Sequence, residues 1–159
     1  MPAMNIKDYL DNNHIHYTTI SHPPAYTAQT IAATAHVSGK DFAKTVVVKL
    51  DGKLTMAVLP ANYRIDFDRL KKVTGAKKVE LATEQEWKEY FPECEVGAMP
   101  PLGNLYDMDV FVTESLSEDN VISFNAGTYT ELIQMKYQDF ENLVNPHIEH
   151  FSDRTIAST

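Results

Sequence analysis

Phe42-Ala43-Lys44-Thr45-Val46-Val47-Val48-Lys49-Leu50 is the stretch on which the fold turns. Three consecutive valines leave no alternating polar face, so this is a strand buried on both sides. Asp51-Gly52 follows at once, and both residues tolerate the positive φ of a type I′ turn. Residues 54–59 then return as the second arm of a hairpin that Pro60 closes. Lys44 stands at the outer end of this hairpin. There a flexible ammonium can lean from a rigid strand into a pocket, or simply snorkel to the surface as lysines beside apolar segments do.

Outward from the hairpin, local chemistry marks the elements. Asn5 can cap a short helix with Ile6, Tyr9 and Leu10 on one face. Residues 17–20 form a β-branched strand, and His22-Pro23-Pro24 stops regular structure because neither proline donates to a ladder. Thr27 is placed to cap an alanine-rich helix running from Ala28 to about His36. After the hairpin, Asp66 caps a helix that ends at Gly75, and residues 79–81 form a brief strand. Thr83 and Glu86 make a capping box for a helix bearing Trp87, Tyr90 and Phe91, which Pro92 ends. Residues 96–105 hold two glycines and two prolines, a bent and stiff segment that is either a rigid connection or a loop with its amides preset.

Further strands are expected at 110–113, 121–124 and 132–135, the first two joined by a polar turn containing Asp119-Asn120. A closing helix over 137–144 ends at Asn145-Pro146, and residues 147–159 read as a loosely ordered tail. About seven strands and four or five short helices in irregular order predict an α/β protein of the α+β type. Its mixed β-sheet would be curled and barrel-like, with the short helices packed outside.

The chain has 159 residues, 43% of them hydrophobic and 23% charged, which suits one soluble domain able to bury a core without disulfides. Cys94 is the single cysteine, so no intrachain disulfide can form. With no apolar run long enough for a membrane span and no secretory start, the sequence predicts a cytoplasmic protein that contacts neither membrane nor DNA. The net charge of −8 opposes holding nucleic acid by the overall field. One local exception is the island of Arg64, Arg69, Lys71, Lys72, Lys77 and Lys78, interrupted only by Asp66 and Asp68. It is either a solvated face or a docking surface for phosphates.

Several chemistries are missing. No Walker loop, no Gly-x-Gly-x-x-Gly and no Gly-x-Ser-x-Gly elbow occurs, which removes the usual nucleotide hydrolases and serine esterases. The six histidines lack the clustered partners of a metal site, so neither metal nor cofactor is expected. Cys94 has no local histidine and reads as a small buried hydrophobe.

Four blocks then resemble a known family: residues 21–29 (Ser-His-Pro-Pro-Ala-Tyr-Thr-Ala-Gln), 42–48, 95–105 and 124–131 (Phe-Asn-Ala-Gly-Thr-Tyr-Thr-Glu). Together, in this order and spacing, they resemble the YbaK/EbsC-type aminoacyl-tRNA deacylases, related to the editing domain inserted in bacterial prolyl-tRNA synthetases. The resemblance covers roughly residues 4–146. It implies a free-standing trans-editing hydrolase that cleaves the ester between a wrong amino acid and the 3′ acceptor end of tRNA. An aminoacyl-tRNA synthetase is a further partner it allows.

By the same resemblance, Lys44 is the central catalytic residue. Gly97, Ala98, Met99, Pro100 and Pro101 present backbone groups to the aminoacyl moiety, while Gly127, Thr128, Tyr129, Tyr26 and Thr27 line the substrate pocket. That agrees with the chemistry of the residues, since an ammonium holds phosphate or ribose oxygens and fixed amides polarise an ester carbonyl. Water would be the nucleophile. Lys71, Lys72, Lys77 and Lys78 would dock tRNA. Tyr129 departs from the histidine of many relatives, and a phenol with an ordinary pKa of ~10 cannot exchange protons near neutrality as imidazole does. The competing expectation is a non-hydrolytic module of the same fold that binds tRNA, a nucleotide or a protein.

Overall fold

A computed structural model of the chain describes residues 6–25, 27–35, 37–91, 94–95 and 98–154. The expectations at Asn5, Tyr26, His36, Pro92 and Gly97 lie outside these residues. So do those for 155–159.

The chain opens with α1 (Ile6–Asn12), β1 (Tyr17–Ser21) and α2 (Ala28–Thr34). The hairpin of β2 (Ala43–Leu50) and β3 (Lys53–Pro60) pairs from Ala43↔Pro60 to Leu50↔Lys53. Its turn has φ 50° at Asp51 and 84° at Gly52, the two positive values a type I′ turn needs. β4 (Tyr63–Ile65) and α3 (Phe67–Thr74) come next. Asp66 caps α3 by accepting the Arg69 amide, and Gly75 ends it at φ 72°. β5 (Val79–Leu81) leads to α4 (Glu84–Trp87), where the Thr83–Glu86 capping box is complete and a 3-10 turn continues over Lys88–Tyr90.

The second half runs through β6 (Val110–Thr113), α5 (Glu114–Ser117), β7 (Val121–Asn125), β8 (Glu131–Lys136) and α6 (Tyr137–Val144). β9 (His147–Glu149) and β10 (Ser152–Arg154) complete it. The fold is mixed α/β with short helices. Its sheets have strand orders β1-β8-β7, β5-β2-β3-β6-β9 and β10-β4, and none of the three closes on itself among the described residues. No helix among the described residues is long and apolar enough to cross a membrane.

Burial explains the valine run. Val47 faces a cluster with Met56, Val58, Phe124 and Ile133, whereas Val48 faces Ala57, Leu70 and Phe151 on the other side of the sheet. Both are nearly inaccessible, at 3% and 1% exposure. β2 therefore has apolar partners on each face and no place for a polar alternation.

Three features correct the sequence expectations. The segment between β6 and β7 holds the one-turn helix α5 rather than a simple polar turn. The strands among the described residues number ten, because β4, β9 and β10 are three-residue segments whose pairing is set by distant partners. Over residues 147–154 the chain is not loose: β9 pairs in parallel with β6, and β10 pairs antiparallel with β4. Between them Phe151 is fully buried, and its carbonyl accepts the Asp66 amide at 2.8 Å. Burying that ring anchors the last strands against α3.

One isolated parallel bridge, Phe42↔Ser123, joins the two larger sheets. The entrance of β2 therefore lies at a seam.

Candidate active site

Lys44 is the second residue of β2 and is half-buried. Its Nζ donates to the Ala61 carbonyl at 3.3 Å. Burial lowers its pKa from the ordinary lysine value, with no carboxylate acting to restore it. An ammonium has three N–H donors, so two remain for an incoming oxygen. The anchor is itself fixed: the Ala61 amide donates to Gly39 O at 3.0 Å and Phe42 O at 2.8 Å. Nothing in the sequence marks Ala61, because its role is carried by a backbone carbonyl.

Three loops converge beside this strand end. The His22 amide donates to Thr130 O at 2.9 Å, and the Ala25 amide to Tyr129 O at 3.3 Å. The Glu95 amide donates to Gly127 O at 2.8 Å. Gly127 has φ 95°, and a Cβ there would sit 3.4 Å from Cys94 Sγ, so the turn closes directly over that thiol. Backbone hydrogen bonds thus gather residues 22–25, residues 94, 95 and 98, and residues 125–130, while the Phe42↔Ser123 bridge brings Lys44 to the same neighbourhood.

The expected loop residues behave unequally. Ala98, Met99, Pro100 and Pro101 are all buried. Prolines carry no N–H, and the Ala98 amide is spent on Glu95 O at 3.0 Å. The loop holds its shape because Gly103 is indispensable: a Cβ there would lie 2.4 Å from both Met108 O and Val110 Cγ2.

On the opposite strap, Thr27 is exposed and occupied as the α2 cap. Its Oγ1 accepts the Thr30 amide at 3.1 Å and donates to Thr30 Oγ1 at 2.6 Å. Thr128 and Tyr129 are half-buried, and Thr128 Oγ1 accepts the Thr130 amide at 3.5 Å. His22, which the sequence marks only as a stop before two prolines, is 7% exposed. Its Nδ1 lies 2.8 Å from Pro23 O, which fixes the proton on Nδ1 because a carbonyl only accepts. Nε2 is buried without a partner.

The basic island lies elsewhere. Lys71, Lys72, Lys77 and Lys78 are exposed, and the Lys77 and Lys78 amides both donate to the Asp51 carboxylate at the hairpin turn. Those two bonds hold Asp51 below its ordinary pKa. The turn is seven residues along β2 from Lys44, or about 23 Å at ~3.3 Å per residue. Arg69 is committed to Asp66, Asp153 and His150. A polar cleft containing Lys53, Asp109 and His147 also opens away from Lys44, and Lys53 there is already paired with Asp109 at 3.1 Å.

Comparison with known proteins adds the family. Proline–tRNA ligases of Bacillus mycoides (strain KBAB4) and Bacillus cereus (strain AH187) are each 26% identical over 98 residues. That match takes in 62% of this chain but spans only 17% of each ligase. The solved structure of a hypothetical protein, APE2540, superposes with TM-score 0.83 at 20% identity, covering 94% of this chain and all of that one. A second structure, assigned provisionally as a trans-editing enzyme for prolyl tRNA synthetase, gives TM-score 0.80 at 17% identity over 95% of this chain and 96% of the other. The model of the aminoacyl-tRNA editing domain matches residues 22–143. Because that match runs from the buried His22 to the last turn of α6 and takes in every segment that converges on Lys44, the chain belongs to the aminoacyl-tRNA editing domain family.

Proposed function

We propose that this protein is a free-standing trans-editing hydrolase that cleaves the ester of mischarged aminoacyl-tRNA, with Lys44 as its central charged group. The observation that carries the reading is the Lys44 ammonium, half-buried at the end of β2 and bonded to one carbonyl. A cation with unspent donors in partly desolvated surroundings attracts an anionic or polar oxygen far more strongly than it would in water. The 3′ end of tRNA supplies such oxygens as phosphate and ribose hydroxyls. The likeness to a structure assigned provisionally as a trans-editing enzyme supports action in trans.

In this reading Lys44 holds the terminal nucleotide, and the buried 98–101 loop with the Gly127–Tyr129 turn walls the aminoacyl group. Water adds to the ester carbonyl, the acyl C–O bond breaks, and the ribose oxygen leaves as a hydroxyl after taking a proton. No side-chain nucleophile takes part. The two unspent Lys44 N–H groups are donors available to oxygen atoms that gain charge. Tyr129 narrows the pocket and offers a hydroxyl, and a synthetase is the partner that would deliver the substrate.

One observation favours a second reading, a binding module without turnover. Ala98 N–H is spent within its own loop and Pro100 and Pro101 have none, so these three residues offer an oxyanion no backbone donor. Deacylation of mischarged tRNAs by the parent, Lys44→Ala and Tyr129→His separates the two. Lysine-dependent hydrolysis supports the enzyme; tRNA binding with no turnover of any substrate supports the module.

A further inference from the structure

A cleft of 360 Å³ opens between β4 and the first turn of α3, lined by Arg64, Ile65, Asp66, Phe67, Asp68 and Asp153. Two of its carboxylates are already used, both by Arg69. Asp66 accepts the Arg69 amide at 3.1 Å and lies 3.5 Å from Arg69 Nε, while Asp153 accepts from Arg69 Nη1 at 3.0 Å. Asp153 stands directly opposite Arg64 in the β4–β10 pair, yet its carboxylate goes to Arg69. Arg64 and Asp68 are both exposed, and neither forms an ion pair or a side-chain hydrogen bond among the described residues.

Phe67 is the third feature of the cleft. Leu70 and Val73 of the same helix join the apolar cluster of Val48 and Phe151, but Phe67 is 40% exposed. A guanidinium, a carboxylate and an aromatic face, each without a partner, complement a nucleobase. The ring stacks on the aromatic side chain, and its edge carries acceptors for the one charge and donors for the other. Three carboxylates in the lining repel a phosphate, so the cleft suits a base rather than the backbone. Single-stranded RNA ends are recognised in this way, by stacking and by hydrogen bonds to the base edge.

The cleft is also close to Lys44. Arg64 comes three residues after Ala61, whose carbonyl holds the Lys44 ammonium, so the two Cα atoms lie within about 11 Å at ~3.6 Å per residue. That distance reaches the nucleotide next to the one assigned to Lys44. Every tRNA ends in cytosine-cytosine-adenine, which makes that neighbour a cytosine.

We propose that this cleft is a subsite for the penultimate nucleotide of the tRNA, a cytosine. Phe67 stacks on its ring, Asp68 accepts from the N4 amine, and Arg64 donates to N3 and O2. Uracil reverses the pattern, turning the O4 acceptor toward Asp68 and an N3–H donor toward Arg64. The inference rests on the reading of Lys44 as the group that holds the terminal nucleotide, but the subsite is measured by binding alone.

The probes are two uncharged RNA hairpins with single-stranded 3′ ends, one finishing in cytosine-cytosine-adenine and the other in cytosine-uracil-adenine. Both are titrated by fluorescence anisotropy at one salt concentration. The parent should bind the first about 10-fold more tightly. Asp68→Asn, whose amide can donate to O4, should cut that preference to about twofold or less. Phe67→Ala should weaken binding of the cytosine RNA by about 10-fold through lost stacking. Both side chains are exposed, and thermal unfolding verifies that the variants fold. Equal affinity of the parent for the two RNAs, binding of neither, or a cytosine preference unchanged in Asp68→Asn would overturn the subsite. Lys44-dependent hydrolysis without a cytosine preference leaves the proposed function standing and removes the subsite. A cytosine preference in a protein that turns over no mischarged tRNA keeps the subsite and removes the hydrolase.

Discussion

The Lys44 ammonium rests on the Ala61 carbonyl at 3.3 Å rather than on a carboxylate, and its burial is not offset by an opposite charge. A charge held this way destabilises the fold at neutral pH, because the unfolded chain solvates it better. Its folded pKa is lowered, so the penalty is relieved as pH rises past that value. Lys44→Met should therefore keep or raise Tm at neutral pH while lowering deacylation by about 100-fold or more, measured on one mischarged tRNA. In the parent, activity should fall at a less alkaline pH than an ordinary lysine would give. A lower Tm in Lys44→Met would show that the ammonium is a structural tie instead. Gly103→Ala tests the neighbouring loop, where the added Cβ meets Met108 O and Val110 Cγ2 at 2.4 Å. Overpacking against backbone should cost about 3 kcal/mol in a denaturant titration.

Elements divide by what specifies them. The hairpin turn, the Asp66 and Gly75 ends of α3 and the Thr83–Glu86 box are legible because one or two residues carry the whole instruction. Asp66→Ala should lower stability by about 1 kcal/mol through loss of the Arg69 amide bond. Glu86 also pairs with Lys49 at 2.6 Å, and that bond together with the Thr83 amide brings its carboxyl down to about 2. The sign is that of a depressed acid: its contribution is present above the ordinary value of 4.5 and lost as pH falls through about 2. An NMR titration of the Glu86 carboxyl should find that low midpoint, and in Lys49→Met the midpoint should rise. β4, β9 and β10 were illegible for the opposite reason. Three residues hold no period, and only partners distant in sequence make Ser152↔Ile65 or Phe111↔His147 a pair. The site was half-legible on the same ground. Lys44 stands out as a cation in an apolar strand, whereas the Ala61 carbonyl that holds it is brought there only when the hairpin folds back.

For the whole molecule, the last strands belong to the folded unit. Phe151 fills the space under α3, and Ser152 Oγ donates to Thr113 Oγ1 at 2.7 Å in the buried interior. Phe151→Ala should cost about 3–5 kcal/mol in stability, a result a dangling tail would not give. Lys77 and Lys78 of the basic island sit at the far end of the hairpin, about 23 Å from Lys44 at ~3.3 Å per residue, so any phosphates they meet would not be those that Lys44 is proposed to hold. Neutralising Lys71, Lys72, Lys77 and Lys78 together should weaken tRNA binding and flatten its salt dependence, by about one logarithmic unit of slope for each phosphate no longer neutralised, without changing the chemical step in single-turnover assays. The central claim stands on one measurement above the rest: deacylation of alanyl- and cysteinyl-tRNA(Pro) and seryl-tRNAs by the parent, Lys44→Ala and Tyr129→His. The account predicts hydrolysis of at least one substrate by the parent, its loss in Lys44→Ala with the fold intact, and a changed preference in Tyr129→His. Hydrolysis that persists undiminished in folded Lys44→Ala would contradict it.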